Sequence, residues 1–242
     1  MAKGKAVKNP IYQDVYFKMR KLITTGEYIA GDFLPTEDRL EDIYGVSRTT
    51  IRKAVEMLAA DGYIEVKQGR GTKVLDYQYT QDLNRVTSVS DTLRQKGYEV
   101  TIKDIYIDRI DASIHIAEKL EVAENAGLYR IQRVLSADAV PTAILINYIS
   151  VGLAPGLDEK SGKISRLYKF LESEFGIFID SCVDTIFAKN ADFVESQMLN
   201  IKPGSALLEI HRVTCQAGRP ITYDISTMRA DRYQFEVKTS GR

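Results

Sequence analysis

The chain has 242 residues, 44% of them apolar and 27% charged, with 33 basic and 33 acidic side chains and a formal net charge of zero. That length fills one or two ordinary cores. No apolar run approaches the roughly 20 residues that span a bilayer, and Met1 to Lys5 is followed by no apolar signal core, so a cytoplasmic protein is expected.

Ile11, Val15, Met19, Leu22 and Ile23 give the first helix its apolar stripe. Leu34-Pro35-Thr36-Glu37-Asp38 opens a second helix, with Thr36 as cap, two acids at the positive end of the dipole and Leu40, Ile43 and Tyr44 as its core face. Gly45-Val46 then makes a tight turn, and Ser47 is placed to cap a third helix through its hydroxyl. Ile51, Val55 and Leu58 are that helix's buried stripe, and Asp61-Gly62 ends it. Its other faces carry Arg48 with Arg52 and Thr49 with Lys53, each pair four residues apart, and no carboxylate occurs until Glu56.

Tyr63–Val66 and Thr72–Leu75 alternate as short strands around Lys67-Gln68-Gly69-Arg70-Gly71, a hairpin with glycines at its tip. Helix, helix, turn, helix and hairpin in this order describe a winged helix-turn-helix. Glycine at the wing tip lets the backbone approach a groove, and Lys67, Arg70 and Lys73 offer phosphate contacts. Zero net charge argues against nucleic acid until its distribution is examined. Residues 1–76 hold 13 basic against 11 acidic side chains, and the runs 47–55 and 66–75 hold six basic residues and no acid. The footprint is a local patch on a neutral protein.

The stretch 77–89 has neither helical nor strand period and reads as a linker between a DNA-binding domain, 1–76, and a second domain, 90–242. There a helix near Asp91 to Lys96 precedes strands Val100–Asp108, Leu128–Ala137 and Ala143–Val151. A helix at Ser165–Phe175, a strand at Asp180–Ala188, a helix at Asp192–Leu199 and strands Ala206–Thr214 and Ile221–Met228 follow. Hairpin signals at Asp138-Ala139-Val140-Pro141 and Gln216-Ala217-Gly218-Arg219-Pro220 argue an antiparallel sheet with packed helices, an α+β fold. Cys182 and Cys215 are expected as buried thiols. Neither His115 nor His211 has a metal partner nearby in sequence, and no metal or cofactor is expected.

The run from Pro10-Ile11-Tyr12-Gln13 through Leu34-Pro35-Thr36-Glu37, Gly45-Val46-Ser47-Arg48-Thr49-Thr50-Ile51-Arg52 and Asp61-Gly62 to Gly69-Arg70-Gly71-Thr72 closely resembles the DNA-binding domain of the GntR family of bacterial transcription regulators. The resemblance implies that Arg48, Thr49, Thr50 and Arg52 face the major groove of operator DNA and Gly69 the minor groove. Thr36, Glu37, Arg39, Ser47, Lys53, Lys67 and Arg70 complete the expected contact set. The chain departs from the family pattern at Asp38, where an arginine is usual; Arg39 comes one place later.

The second part resembles the effector-binding domain of the HutC subfamily, whose fold is like that of chorismate lyase. Gly97-Tyr98, Ile131-Gln132-Arg133, Pro155-Gly156-Leu157, Leu167-Tyr168, Phe175-Gly176-Ile177, Arg212-Val213, Gly218-Arg219-Pro220-Ile221 and Arg229-Ala230-Asp231-Arg232-Tyr233 carry that resemblance. It implies a pocket for an anionic small molecule built from Val89, Ser90, Arg133, Tyr148, Ser165, Arg166, Tyr168, Thr222 and Met228. Phosphosugar-binding members tend to have a second arginine at Leu135, acids at Leu145 and Thr222 and an aromatic at Met228, so a ligand less polar than a hexosamine phosphate is expected. The resulting expectation is a homodimeric repressor on an inverted repeat, released by an effector. An enzyme using the lyase-like fold is the alternative, for which the chain offers no nucleophile elbow, metal cluster or phosphate loop. A structural DNA-binding protein without a ligand would leave some 150 residues unexplained.

Overall fold

The computed structural model describes residues 10–67, 69–75, 77, 79–164 and 166–241. The N-terminal Met1 to Lys5, Gln68 of the hairpin, Asp76 and Gln78 at the domain junction, and the expected pocket residue Ser165 lie outside the described residues. The chain divides into two compact units, Met1–Tyr77 and Gln78–Arg242.

In the first unit, α1 (Ile11–Thr24) and α2 (Glu37–Tyr44) both pack on α3 (Arg48–Ala60). Apolar residues at helical spacing make the core: Val15, Met19 and Ile23 from α1, Leu40 from α2, and Ile51, Ala54, Val55 and Leu58 from α3. Two expected core residues, Ile11 and Ile43, are instead largely exposed. The eight-residue α2 sets Leu40 and half-buried Tyr44 on one line, four residues apart, and Ile43 lies off it. Thr36 and Ser47 occupy the N-cap positions with extended dihedrals, yet neither hydroxyl bonds a helix N–H. Ser47 Oγ instead meets Thr50 Oγ1 at 3.0 Å, because the two side chains share a face one turn apart.

Strands β1 (Ile64–Lys67) and β2 (Gly71–Val74) pair antiparallel to form the wing. A further segment lies along it that the sequence reading missed. Gly31 N donates to Val74 O at 2.9 Å, Val74 N to Asp32 O at 2.8 Å, and Leu34 N to Thr72 O at 2.8 Å. The connection between α1 and α2 thus covers the outer edge of β2.

The second unit begins with β3 (Tyr79–Asp82) and continues through α4 (Val89–Gln95), β4 (Val100–Asp111), α5 (Ile114–Leu120), β5 (Gly127–Ala137) and β6 (Val140–Ser150). After a 3₁₀ turn at Asp158–Lys163 come α6 (Leu167–Phe175), β7 (Ser181–Asn190), α7 (Phe193–Leu199), β8 (Ala206–Gln216), β9 (Arg219–Arg229) and β10 (Tyr233–Glu236). Six strands form one antiparallel sheet in the order β4-β5-β6-β9-β8-β7. Its hairpins turn through Asp138-Ala139 and Ala217-Gly218, all four residues at positive φ, the geometry that matches strand twist. The stretch read as a linker is partly sheet: β3 runs parallel to β10, and its alternating burial puts Tyr79 and Gln81 inside. A four-residue strand whose partner lies at the far end of the chain leaves no local signal. Helix α5, singled out in sequence only by the start before His115, packs on β9, and α7 on β6.

The two halves of the large sheet repeat one plan. Helix α5 and α7, β5 and β8, and β6 and β9 have equal lengths and are separated by the same number of residues, so β6 and β9 meet at a pseudo-twofold centre. One face of the sheet carries α6, whose Leu167 and Leu171 pack with Tyr129, Ile131 and Ile149. The other carries α5 over Leu128, Tyr148 and Tyr223, and α7 over Ile144 and Leu207.

Candidate functional site

Helix α3 presents a polar face at its first two turns. Ser47, Arg48, Thr49, Arg52 and Lys53 are exposed there, and Arg39 is exposed on α2. Arg48 Nε lies 3.3 Å from Glu37 Oε2 and Nη1 3.4 Å from Asp38 Oδ1, so the departure at Asp38 places a second carboxylate beside the first recognition arginine. Lys53 points the other way, with Nζ 5.5 Å from the centre of the Tyr12 ring on α1. At the wing Lys67 pairs with Glu65 at 3.1 Å, while Gly69, Arg70 and Lys73 are exposed. The tail of α3 is pinned to α1: Tyr16 Oη donates to Asp61 Oδ2 at 2.5 Å. Burial and that carboxylate push the Tyr16 hydroxyl up to about 12.

In the second unit a cavity of about 30 Å³ opens on the pseudo-twofold centre of the sheet. Its floor takes matching residues from the two halves: Arg133, Leu145 and Asn147 from β5 and β6, and Arg212, Asp224 and Ser226 from β8 and β9. Ser88, Val89 and Ser90 at the start of α4 and Tyr168 of α6 roof it, and Gln81 of β3 reaches it. An open cleft of about 660 Å³, walled by Asp91, Arg94, Arg166 and Lys169, shares Ser88 and Tyr168 with it.

The two arginines hold equivalent places and have different fates. Arg212 is fully engaged: Nε and Nη2 grip both oxygens of Asp184 on β7 at 2.6 and 2.7 Å, and Nη1 donates to Thr87 O at 2.7 Å. It thereby fixes the residue ahead of the α4 cap, where Ser88 Oγ accepts from Asp91 N at 3.1 Å. In the other half the register of β4 shifts between Lys103 and Tyr106, so Arg133 has no single cross-strand counterpart of the kind that Asp184 is to Arg212. Arg133 is only 4% exposed and donates through Nη2 to Asn147 Oδ1 at 2.5 Å, while its buried Nε has no hydrogen-bond partner. Burial draws its guanidinium down to about 10, so it is still charged at neutral pH.

Asp224, which sequence reasoning missed, is 3% exposed. Its Oδ2 accepts from Tyr168 Oη at 2.6 Å and its Oδ1 has no hydrogen-bond partner. Burial pushes its carboxyl above the usual range, and pushes the Tyr168 hydroxyl well above its own. Its only sequence signal was alternation: Thr222, Asp224, Ser226 and Met228 share the side of β9 that faces the cavity.

Of the expected pocket residues, Val89, Ser90, Arg133 and Tyr168 line the cavity, and Arg166 lines the outer cleft with Nε 3.3 Å from Asp91. Tyr148 does not: it lies on the opposite face, stacked on Tyr223 at 6.0 Å beneath α5. It neighbours Asn147 in sequence, and one residue along a strand reverses the side chain's face. Thr222 and Met228 are buried beyond the cavity's ends, with Thr222 Oγ1 2.7 Å from Thr214 Oγ1.

His115 and His211 meet across that opposite face at the Tyr223 hydroxyl, at 3.3 and 2.8 Å. Among the described residues no three His, Cys, Asp or Glu side chains are grouped to hold a metal. Cys182 and Cys215 are free thiols on neighbouring strands, partly exposed where buried thiols were expected, because β7 is the sheet's edge.

Comparison with known proteins accounts for both units. Residues 11–74 match the model of bacterial regulatory proteins of the gntR family, and residues 95–234 match the UTRA domain. The chain is 27% identical over 229 residues to the mannosyl-D-glycerate transport/metabolism system repressor MngR of Escherichia coli, covering 94% of this chain and 95% of that one. It is 30% identical over 228 residues to a probable fructoselysine utilization operon transcriptional repressor of Shigella flexneri, covering 94% and 93%. The crystal structure of PhnF from Mycobacterium smegmatis superposes with a TM-score of 0.70 at 25% identity, covering 94% of this chain and all of that one.

Proposed function

The chain belongs to the GntR family of bacterial regulatory proteins and carries a UTRA domain, and from that premise we propose that it is a repressor whose hold on operator DNA is loosened by an anionic effector. It is a DNA-binding transcription regulator with a domain of effector-binding type. The lyase alternative has no support, since the relatives named above are regulators.

The observation that carries the effector site is Arg133. A guanidinium this buried, with Nε unpaired and Nη2 on the neutral Asn147 amide where its counterpart Arg212 grips Asp184, is costly to keep unless a ligand supplies the anion. The DNA site is the exposed start of α3 with the wing tip, and works through Arg48, Thr49, Thr50 and Arg52 in the major groove and Gly69 at the minor groove. Thr36, Glu37, Arg39, Ser47, Lys53, Lys67 and Arg70 flank it. One recognition helix reads few base pairs, so two copies act together in the cytoplasm as a homodimer on an inverted repeat.

A thermal-shift screen of anionic metabolites, followed by operator release, tests the proposal. A ligand at 100 times its dissociation constant stabilises by about 2.7 kcal/mol. Arg133→Ala should abolish both the shift and the release; a full response in that variant would sink the assignment.

A further inference from the structure

The cavity contains a second buried charge that an anion alone does not satisfy. Asp224 lies across the central strand pair from Asn147, which stands between it and Arg133. Arg133 and Asp224 make no direct hydrogen bond to each other: Arg133 Nη2 donates to Asn147, and Asp224 Oδ2 accepts from the Tyr168 hydroxyl. Both residues line the cavity, and each is left with one buried polar atom unpaired, Nε on one and Oδ1 on the other. Such orphaned groups, desolvated without compensation, are what a site exchanges for ligand contacts.

The fold itself does not require this carboxylate. In the other half of the sheet the equivalent position is Leu145, which faces the same cavity as a plain apolar side chain. Arg212 is paired with Asp184, which leaves Arg133 and Asp224 as the other charged side chains lining the cavity among the described residues. A ligand bringing only negative charge would satisfy Arg133 and be repelled by Asp224. The cavity's small volume suits a charged head group, with the remainder of the molecule in the open cleft beyond Ser88 and Tyr168.

We propose that the small molecule recognised here is zwitterionic, presenting a protonated amine to Asp224 Oδ1 as well as an anionic group to Arg133. The proposal rests on the reading of this cavity as the effector site.

The test is calorimetric titration of the full chain at neutral pH with matched probes that differ only in the amine: phosphoethanolamine against ethyl phosphate, and β-alanine against propionate. The aminated member of at least one pair should bind about tenfold tighter or more, the scale of a charge-assisted hydrogen bond. Asp224→Asn should remove that preference, and Arg133→Gln should weaken both members alike. Equal binding within each pair, tighter binding of the deaminated member, or binding of no probe overturns the proposal. Loss of binding in Arg133→Gln with no change in Asp224→Asn would remove the amine and leave the cavity as the site. Unchanged binding in both variants would remove the cavity reading with it.

Discussion

The ion pairs of Arg48 bear on its proposed role at the DNA. Its pairs with Glu37 and Asp38 are solvent-exposed and worth little to the fold, but they hold the guanidinium at the mouth of the recognition surface. Operator titration of Arg48→Ala should show a loss of about 1–3 kcal/mol, the worth of a bidentate base contact, and unchanged affinity at physiological salt would contradict that role. Asp38→Asn should tighten binding, since it removes a carboxylate from the phosphate side and frees Arg48; weaker binding would show that Asp38 orients the arginine.

Asp224 makes the opposite bargain. Its carboxyl is raised by burial in the folded state, so its favourable contribution belongs to the protonated form and is lost as pH rises through that raised value. Its ionised form therefore opposes folding. Asp224→Asn should raise the melting temperature at neutral pH and lose that advantage on acidification below the ordinary carboxylate range. A melting temperature that falls at neutral pH would make Asp224 a structural anchor. Tyr16 gives the alkaline counterpart. Raised from 10.0 to about 12, it contributes stability below pH 10 that disappears between pH 10 and 12. A Tyr16→Phe chain should lose less stability over that window, and an unaltered alkaline limb would contradict the role of the Asp61 bond.

Among elements, the wing tests backbone more than side chain. Gly69 and Gly71 both have positive φ, at 77° and 95°, but only at Gly71 would a Cβ meet a neighbour, Phe33 Cδ1 at 3.3 Å. Gly69→Ala should cost about 1 kcal/mol of left-handed strain. Gly71→Ala should cost clearly more by chemical denaturation, and the reverse order would mean that the segment at residues 31–34 is not held against β2. Arg212 is the matching test on the sheet. Its removal leaves partly buried Asp184 uncompensated and frees Thr87, so Arg212→Met should destabilise by up to about 3 kcal/mol and blunt the effector response.

Elements with their own periodicity were legible in the sequence: α1 and α3 from their apolar stripes, β5, β6, β8 and β9 from alternation and hairpin turns. Elements that exist only through a distant partner were not, namely β3, β10 and the strand-like segment at residues 31–34. The site divides the same way. Arg133 was accessible through resemblance, but Asp224 becomes meaningful only when three strands set it beside Asn147 and opposite the empty place of a partner for Arg133. Tyr148 failed by one residue of register.

At the scale of the whole molecule, the sheet's internal repetition supports the proposed place of the effector. Two similar halves make a centre that both line, and the difference between them at Leu145 against Asp224 makes a symmetric floor unequal in polarity. A ligand can change DNA affinity only by as much as it prefers one arrangement of the chain over another. The regulator should therefore lose operator affinity in proportion to effector occupancy of the cavity.

The most direct measurement is selection of bound sequences from a random duplex pool by the purified full chain. The account predicts enrichment of an inverted repeat whose half-sites lie about 10 base pairs apart, one helical turn, bound by two chains and lost in the Arg48→Ala, Arg52→Ala double variant. Enrichment of nothing, or of a single half-site by one chain, or of the same sites by the double variant, would contradict it.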